Sequence, residues 1–286
     1  MRWQGINNKK MKMSTQVDLF TNVEPTSVSP AIAKPFVSRS TFYQGDCLVE
    51  MDKIADKSVD MILCDLPYGT TACKWDSVIP FEPLWKQYER IIKDNGAIVL
   101  FSSQPFTTDL INSNRNIFKY EIIWDKFGGS NFQLAKVQPL KRHENILVFG
   151  KMKVVYNPQM KLREKPKDYS NSSYDALKNG MHFNSNDFES AKKIRTEKYP
   201  DTIIEISGQS KECNNVNRVH STQKPIELME YLIKTYTNEG ETVLDNCMGS
   251  GTTGVACKKT SRHFIGIEKD EKYFEIAVSR VSAYCG

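Results

Sequence analysis

The sequence predicts an α/β fold, a Rossmann-like sheet of seven strands interrupted by one polar insert. Three observations predict it. Short apolar runs such as Val59–Cys64 and Ala97–Ser102 alternate with amphipathic stretches such as Phe81–Lys93. Farther along, the apolar pair Val243-Leu244 runs into a glycine-rich turn, then a helix, then an apolar strand that ends in Glu268. Between residues 151 and 218 the alternation gives way to Asn- and Lys-rich polar sequence, and afterwards it resumes.

Taken in order, residues 1–40 are rich in Lys, Ser, Thr, Asn and Pro and read as a disordered tail. Strands follow near Thr41–Gln44 and Val59–Cys64. Phe81–Lys93 reads as a helix with an acidic start, an apolar face of Leu84, Tyr88, Ile91 and Ile92, and an Asp94-Asn95-Gly96 stop. Further strands fall at Ala97–Ser102, Tyr120–Asp125 and Asn145–Gly150. The last two are joined by a loop rather than a helix and are expected to form an antiparallel hairpin at the sheet edge. Beyond the insert come a helix at Pro225–Tyr236, a strand at Val243, a helix at Val255–Lys259 and a strand at His263–Ile267. The expected organisation is a tail (1–40), a first half (41–150), an insert (151–218) and a second half (219–286). No internal repeat is visible.

Two of these junctions carry chemistry. Asp65-Leu66-Pro67-Tyr68-Gly69 presents a carboxylate, a backbone carbonyl and an aromatic ring together at a strand end. An exocyclic amino group on a nucleobase is a poor nucleophile, because its lone pair is delocalised into the ring. The Asp65 carboxylate and the Leu66 carbonyl are two acceptors for its hydrogens and for the positive charge that grows during attack. Tyr68 is a stacking surface for a base swung out of its duplex. Taken alone, Pro-Tyr-Gly is equally an ordinary turn. In the second junction, Asp245 to Gly254, the glycines let the backbone approach a ligand, and Glu268, about 20 positions on, is placed for ribose hydroxyls. The spacing Gly249-Ser250-Gly251-Thr252-Thr253-Gly254 also satisfies a dinucleotide fingerprint, which keeps a nicotinamide cofactor in view. Against it, only one further strand follows, and Asp245 ahead of the glycines is unfavourable beside a pyrophosphate.

Together the junctions resemble those of the amino-methylating DNA methyltransferases, the N6-adenine/N4-cytosine family. The match is to its permuted β-class, in which the catalytic motif precedes the cofactor glycines, and it covers the chain from Thr41 to Val281. Asp65-Leu66-Pro67-Tyr68 matches the family's Asp-Pro-Pro-Tyr; the Leu66 departure is mild because the family uses that residue's carbonyl. Asp245 through Thr252 resembles its cofactor loop, with Cys247 where Phe is usual. His220-Ser221-Thr222-Gln223-Lys224-Pro225 and Gly45-Asp46-Cys47 resemble its flanking motifs. The resemblance implies the seven-stranded S-adenosylmethionine-dependent methyltransferase sheet carrying an inserted DNA-recognition region. It implies Asp65, Leu66, Pro67 and Tyr68 as the catalytic set. For the cofactor it implies Asp46 and Cys47 at the adenine, Glu268 at the ribose, and His220, Thr222, Lys224 and Asp65 toward the methionine end. The remaining cofactor contacts are Asp245, Cys247, Gly249, Ser250, Gly251 and Thr252. Family members that methylate the 4-amino group of cytosine usually carry Ser at the first motif position, so Asp65 favours adenine. The lack of any Pro-Cys dipeptide disfavours methylation of the cytosine ring. A cytosine-amino or RNA methyltransferase and a non-catalytic nucleic-acid-binding subunit remain the other readings. The family often forms homodimers; nothing in the sequence reports on it.

Composition is compatible with this. The chain has 286 residues, 39 Lys or Arg against 34 Asp or Glu, a net charge of +5 and a pI near 8.7, a mild bias toward an acidic partner. Seven cysteines without paired spacing imply neither a disulfide framework nor a metal site, and reduced thiols in the cytoplasm of a bacterium or its phage are expected. No signal peptide or membrane span is expected. Between residues 136 and 167 nine basic residues face only Glu144 and Glu164, a net of +7. Among them Lys136, Lys141, Arg142, Lys161, Arg163, Lys165 and Lys167 are expected to hold phosphates of double-stranded DNA. A merely solvated loop is the bland alternative. In the tail, Gln16-Val17-Asp18-Leu19-Phe20 resembles the peptide by which bacterial DNA enzymes dock on the replication sliding clamp. In that resemblance Leu19 and Phe20 fill an apolar pocket and Gln16 hydrogen-bonds at its edge.

Overall fold

All six residues of the strand Val59–Cys64 are buried, which places it at the middle of the sheet and explains why its sequence is apolar at every position but Asp60. The structure is a computed structural model describing residues 38–69, 77–167, 195–208 and 223–284. In chain order these form β1 (Ser40–Gln44), a one-turn α1 (Cys47–Glu50), β2 (Val59–Cys64), α2 (Phe81–Ile91), β3 (Ile92–Ser102), α3 (Phe106–Ser113), β4 (Phe118–Ser130) and β5 (Lys141–Phe149). There follow β6 (Lys161–Lys167), β7 (Arg195–Lys198), β8 (Ile203–Glu205), α4 (Ile226–Tyr236), β9 (Thr242–Asp245), α5 (Thr252–Lys259), β10 (His263–Glu268) and α6 (Glu271–Ala283). Among the described residues no helix is long and apolar enough to cross a membrane.

Eight strands make one sheet in the order β1-β10-β9-β2-β3-β5-β4-β8, and only β5 runs against the others. Period-two alternation splits its side chains between two layers. Met61 and Leu63 join the layer covered by α4, α5 and α6. Ile62 and Cys64 join the layer covered by α2 and α3, with Leu84, Tyr88 and Leu110 fully buried there. Asp60, the one charged residue of β2, is neutralised by Lys93 at 2.6 Å and accepts the backbone N–H of Thr242 at 2.9 Å, tying β2 to the start of β9.

The fold class is the expected one, with an eighth strand. That strand, β8, lies in the stretch read as polar insert and pairs in parallel with β4, Ile123 opposite Ile203. The β4–β5 hairpin is antiparallel as expected, but β8 rather than the hairpin takes the edge. Nor is the rest of the insert without strands: β6 and β7 form a separate two-stranded ribbon. Helix α2 ends two residues earlier than expected, and β3 begins at once with Ile92. Its register against β2 jumps from Val59↔Ile92 to Met61↔Ala97, so Asp94-Asn95-Gly96 forms a bulge inside a strand rather than a helix stop. Gly96 is required there, since a Cβ would stand 2.8 Å from the Asp60 carbonyl.

Candidate active site

The two sequence junctions, far apart in the chain, lie side by side because β2 pairs with β9, Ile62 opposite Leu244. Asp65 follows the last residue of β2 and Asp245 is the last residue of β9. Glu268 ends the neighbouring β10, and Asp46 follows the end of β1. Four carboxylates thus gather at the carboxyl ends of parallel strands, where the chain turns outward in both directions along the sheet. Open α/β sheets bind ligands at such a point.

Buried Leu66 anchors the turn after β2. Asp65 Oδ1 accepts from the Tyr68 hydroxyl at 2.7 Å, and Oδ2 accepts from Lys224 Nζ at 2.6 Å. The same ammonium lies 3.2 Å from Glu144 Oε2, while Glu144 Oε1 accepts from Lys126 Nζ at 2.9 Å. Charges therefore alternate along a row: Lys126, Glu144, Lys224, Asp65. Burial alone would raise the Glu144 carboxyl, but Lys224 and Lys126 carry it below its usual range. Burial would likewise lower the Lys224 ammonium, yet Asp65 and Glu144 carry it above the ordinary value. The Tyr68 hydroxyl is pushed well up by burial and then by the Asp65 carboxylate, so it stays a protonated donor. Its ring stacks on Phe106 with centroids 5.1 Å apart and planes at 29°. Lys224 Nζ sits 5.0 Å from the Phe101 ring centroid.

In the second junction Asp245 is buried; its Oδ1 accepts from Cys247 N at 3.1 Å and its Oδ2 from Thr253 Oγ1 at 2.5 Å. Burial outweighs both bonds and pushes its pKa up to about 7. Gly249 (φ +50°) donates its N–H to Glu268 Oε2 at 2.9 Å, and nothing lies within 4 Å of where its Cβ would stand. Gly251 (φ +78°) caps α5 in the left-handed region, with a virtual Cβ only 3.0 Å from Ala277. Ser250 accepts from Arg280, and Thr252 opens α5, buried. Asp46 caps α1 by accepting Leu48 N and pairs with Lys269 at 3.1 Å. The Cys47 thiol, bonded to Cys247 and buried, is held far above its ordinary pKa.

Of the residues expected toward the methionine end of the cofactor, Lys224 stands on Asp65. His220 and Thr222 lie outside the described residues, as do Gln16, Leu19 and Phe20. Of the basic set, Lys161, Arg163, Lys165 and Lys167 lie on β6. Arg142 makes a two-pronged pair with Asp125 at 2.6 Å per bond, and Lys141 donates to Ser103 Oγ beside the site. Sequence reading missed Glu144, Lys126 and Phe106. Glu144 was visible only as an acidic residue in a basic run and Lys126 lay outside that run, and nothing in sequence spacing places either against Asp65.

Comparison with known proteins gives one consistent result. The family model described as DNA methylase matches residues 59–279. The chain is 30% identical over 253 residues to the Type II methyltransferase M1.MboII of Moraxella bovis, across 81% of this chain and 92% of that one. It is 26% identical over 278 residues to the Type II methyltransferase M.HinfI of Haemophilus influenzae, across 85% and 68% respectively. Among solved structures it is similar to the crystal structure of an M1.HpyAVI–SAM complex, with 27% identity, a TM-score of 0.55, and coverage of 84% of this chain and 99% of that one.

Proposed function

This chain belongs to the DNA methylase family, and we propose that it moves the methyl group of S-adenosylmethionine onto the 6-amino group of an adenine swung out of double-stranded DNA. The observation that carries the reading is the β2–β9 pairing, which sets Asp65-Leu66-Pro67-Tyr68 beside the Asp245–Thr252 turn.

The residues fit the cofactor. A buried carboxylate with its pKa raised to about 7 is completed by a cation, and Asp245 would take the cofactor's ammonium. Glu268 keeps lone pairs for ribose hydroxyls after accepting from Gly249 N and Asp270 N, and the space open at Gly249 admits a ligand against the backbone. Asp46, Cys47 and Cys247 would line the adenine end, and Ser250, Gly251 and Thr252 would shape the turn; His220 and Thr222 are assigned by motif alone. Bound there, the cofactor supplies an electrophilic methyl group. The chain supplies position. Tyr68, stacked on Phe106, offers its ring to the extrahelical base. Asp65 and the Leu66 carbonyl hold the amino hydrogens, aim the nitrogen lone pair, and stabilise its growing positive charge. Asp65 is also the nearest acceptor for the proton that nitrogen releases. Asp at the first position of the motif supports adenine over cytosine.

The β6–β7 ribbon supports duplex binding. Its register sets Lys161 opposite Lys198, with Asp201 3.5 and 3.7 Å from the two ammonium groups, and Lys167 opposite Arg195, so basic side chains line both strands. We assign phosphate contacts to this ribbon with Lys136, Lys141 and Arg142, and target recognition to residues 151–218. These lie between the halves 41–150 and 219–286. Docking on a sliding clamp through Gln16, Leu19 and Phe20 belongs to the same proposal. Incubation with methyl-labelled cofactor and, in parallel, mixed-sequence DNA or RNA, followed by nucleoside analysis, tests the reaction. N6-methyladenine is expected; label in N4-methylcytosine, label only in RNA, or no label at all refutes it.

A further inference from the structure

We propose that Glu144 is a positioning residue for methyl transfer: it receives the Lys224 ammonium when the target amino group claims Asp65. The inference rests on the role given to Asp65 above. In the structure, Asp65 is not ready to act. One oxygen holds the Tyr68 hydroxyl and the other holds an ammonium at 2.6 Å, and a carboxylate neutralised so closely is a weak partner for a nitrogen gaining positive charge. For the base to be served, the Lys224 charge must lean elsewhere.

Glu144 is built to take it. Its Oε1 is fixed by Lys126 at 2.9 Å. Its Oε2 is buried and makes no hydrogen bond, although Lys224 Nζ is only 3.2 Å away, off hydrogen-bond geometry. That oxygen is held by the longer of the two Lys224 ion pairs, 3.2 Å against 2.6 Å to Asp65, and a small swing of one ammonium turns it into a well-aligned hydrogen bond. Among the described residues Lys224 has two carboxylate partners, Asp65 and Glu144, so releasing one strengthens the other. The other groups around this ammonium do not compete for it. Tyr68 donates to Asp65, Lys126 and Lys141 are cations, and Phe101 offers only its ring face. Both carboxylates favour the charged lysine throughout, so the exchange moves a cation and not a proton.

The test is a double-mutant cycle on the full chain with Glu144→Gln and Lys224→Met, measuring kcat on mixed-sequence DNA and S-adenosylmethionine affinity by calorimetry. Glu144→Gln should lower kcat at least ~10-fold with cofactor affinity within about twofold of wild type. In the Lys224→Met background it should cost nothing further. Glu144→Asp, which keeps the charge one methylene short, should recover part of the rate. Cofactor binding reports that each variant is folded; if the double variant fails to bind, the order Glu, then Asp, then Gln in kcat at constant affinity decides. An unchanged kcat in Glu144→Gln, losses that add across the cycle, or affinity lost in step with kcat would overturn the proposal while the wild type still methylates DNA. A wild type that transfers no methyl group removes the functional reading instead, and this proposal with it.

Discussion

Asp245→Asn removes a charge that the folded chain holds at a cost. The Asp245 carboxyl titrates at about 7 in the fold against an ordinary 3.8, because burial outweighs its bonds from Thr253 Oγ1 and Cys247 N. An acid whose folded pKa is raised binds more protons folded than unfolded between the two values. Stability therefore falls as pH rises from about 4 to about 7 and is level above that. At about 1.4 kcal/mol per unit, the ionised group costs on the order of 4 kcal/mol at pH 8 and roughly 1.5 kcal/mol at pH 5. Asparagine is neutral at both. It keeps an acceptor for Cys247 N and turns an amide N–H toward Thr253 Oγ1, a rearrangement that costs about 1 kcal/mol. The variant should be more stable than wild type by roughly 2–3 kcal/mol at pH 8 and nearly equal to it at pH 5. Urea unfolding without cofactor, at both pH values, measures this. S-adenosylmethionine affinity should fall at least ~10-fold in the same variant, since the cation it accepts loses its counter-charge. A change in stability that is the same at pH 5 and pH 8, or a variant less stable at pH 8, refutes the reasoning. Greater stability bought with weaker ligand binding is the pattern expected of a preformed site.

Asp65→Ala should lower kcat by a hundredfold or more, about 3 kcal/mol, while calorimetric cofactor affinity changes little; wild-type turnover would remove its assigned role. Neutralising Lys161, Arg163, Lys165 and Lys167 on the ribbon should weaken binding to duplexes of every sequence and flatten the salt dependence of affinity, as read by fluorescence anisotropy at several salt concentrations. An unchanged salt slope would make the ribbon a solvated surface. Leu19→Ala/Phe20→Ala should abolish retention by a purified bacterial sliding clamp that holds the wild type; equal retention of both proteins, or of neither, ends the docking proposal.

The central sheet was legible because its parallel strands are buried on both faces. Val59–Cys64 could be read to the residue from its apolar run alone. Elements whose stability comes from pairing rather than burial were not. β8 has three residues, of which only Ile204 is buried, and β6 carries Lys, Arg, Glu and Pro with no apolar face. The Asp94-Asn95-Gly96 bulge misled for a related reason. Its polar turn residues are held by Lys57 and Lys151 ion pairs to Asp94, partners distant in sequence. At the site, Asp65, Tyr68, Asp245 and Glu268 announce themselves because each ends a strand or lies in the recognisable turn that follows one. Glu144 and Phe106 stand on elements with no such signature. Only the strand order β3-β5-β4 brings Glu144 to Lys224.

That order bears on how the protein comes off the ribosome. When residue 150 has emerged, β2 already has β3 on one side, but its other edge has no partner until residues 242–245 are made. For the time needed to synthesise about ninety residues, the most apolar strand of the nascent chain presents a bare hydrogen-bonding edge. Its eventual partner arrives by a contact of very long sequence separation, the slow kind. Low temperature and slow expression should therefore raise the soluble yield more than any change to the surface of the finished fold.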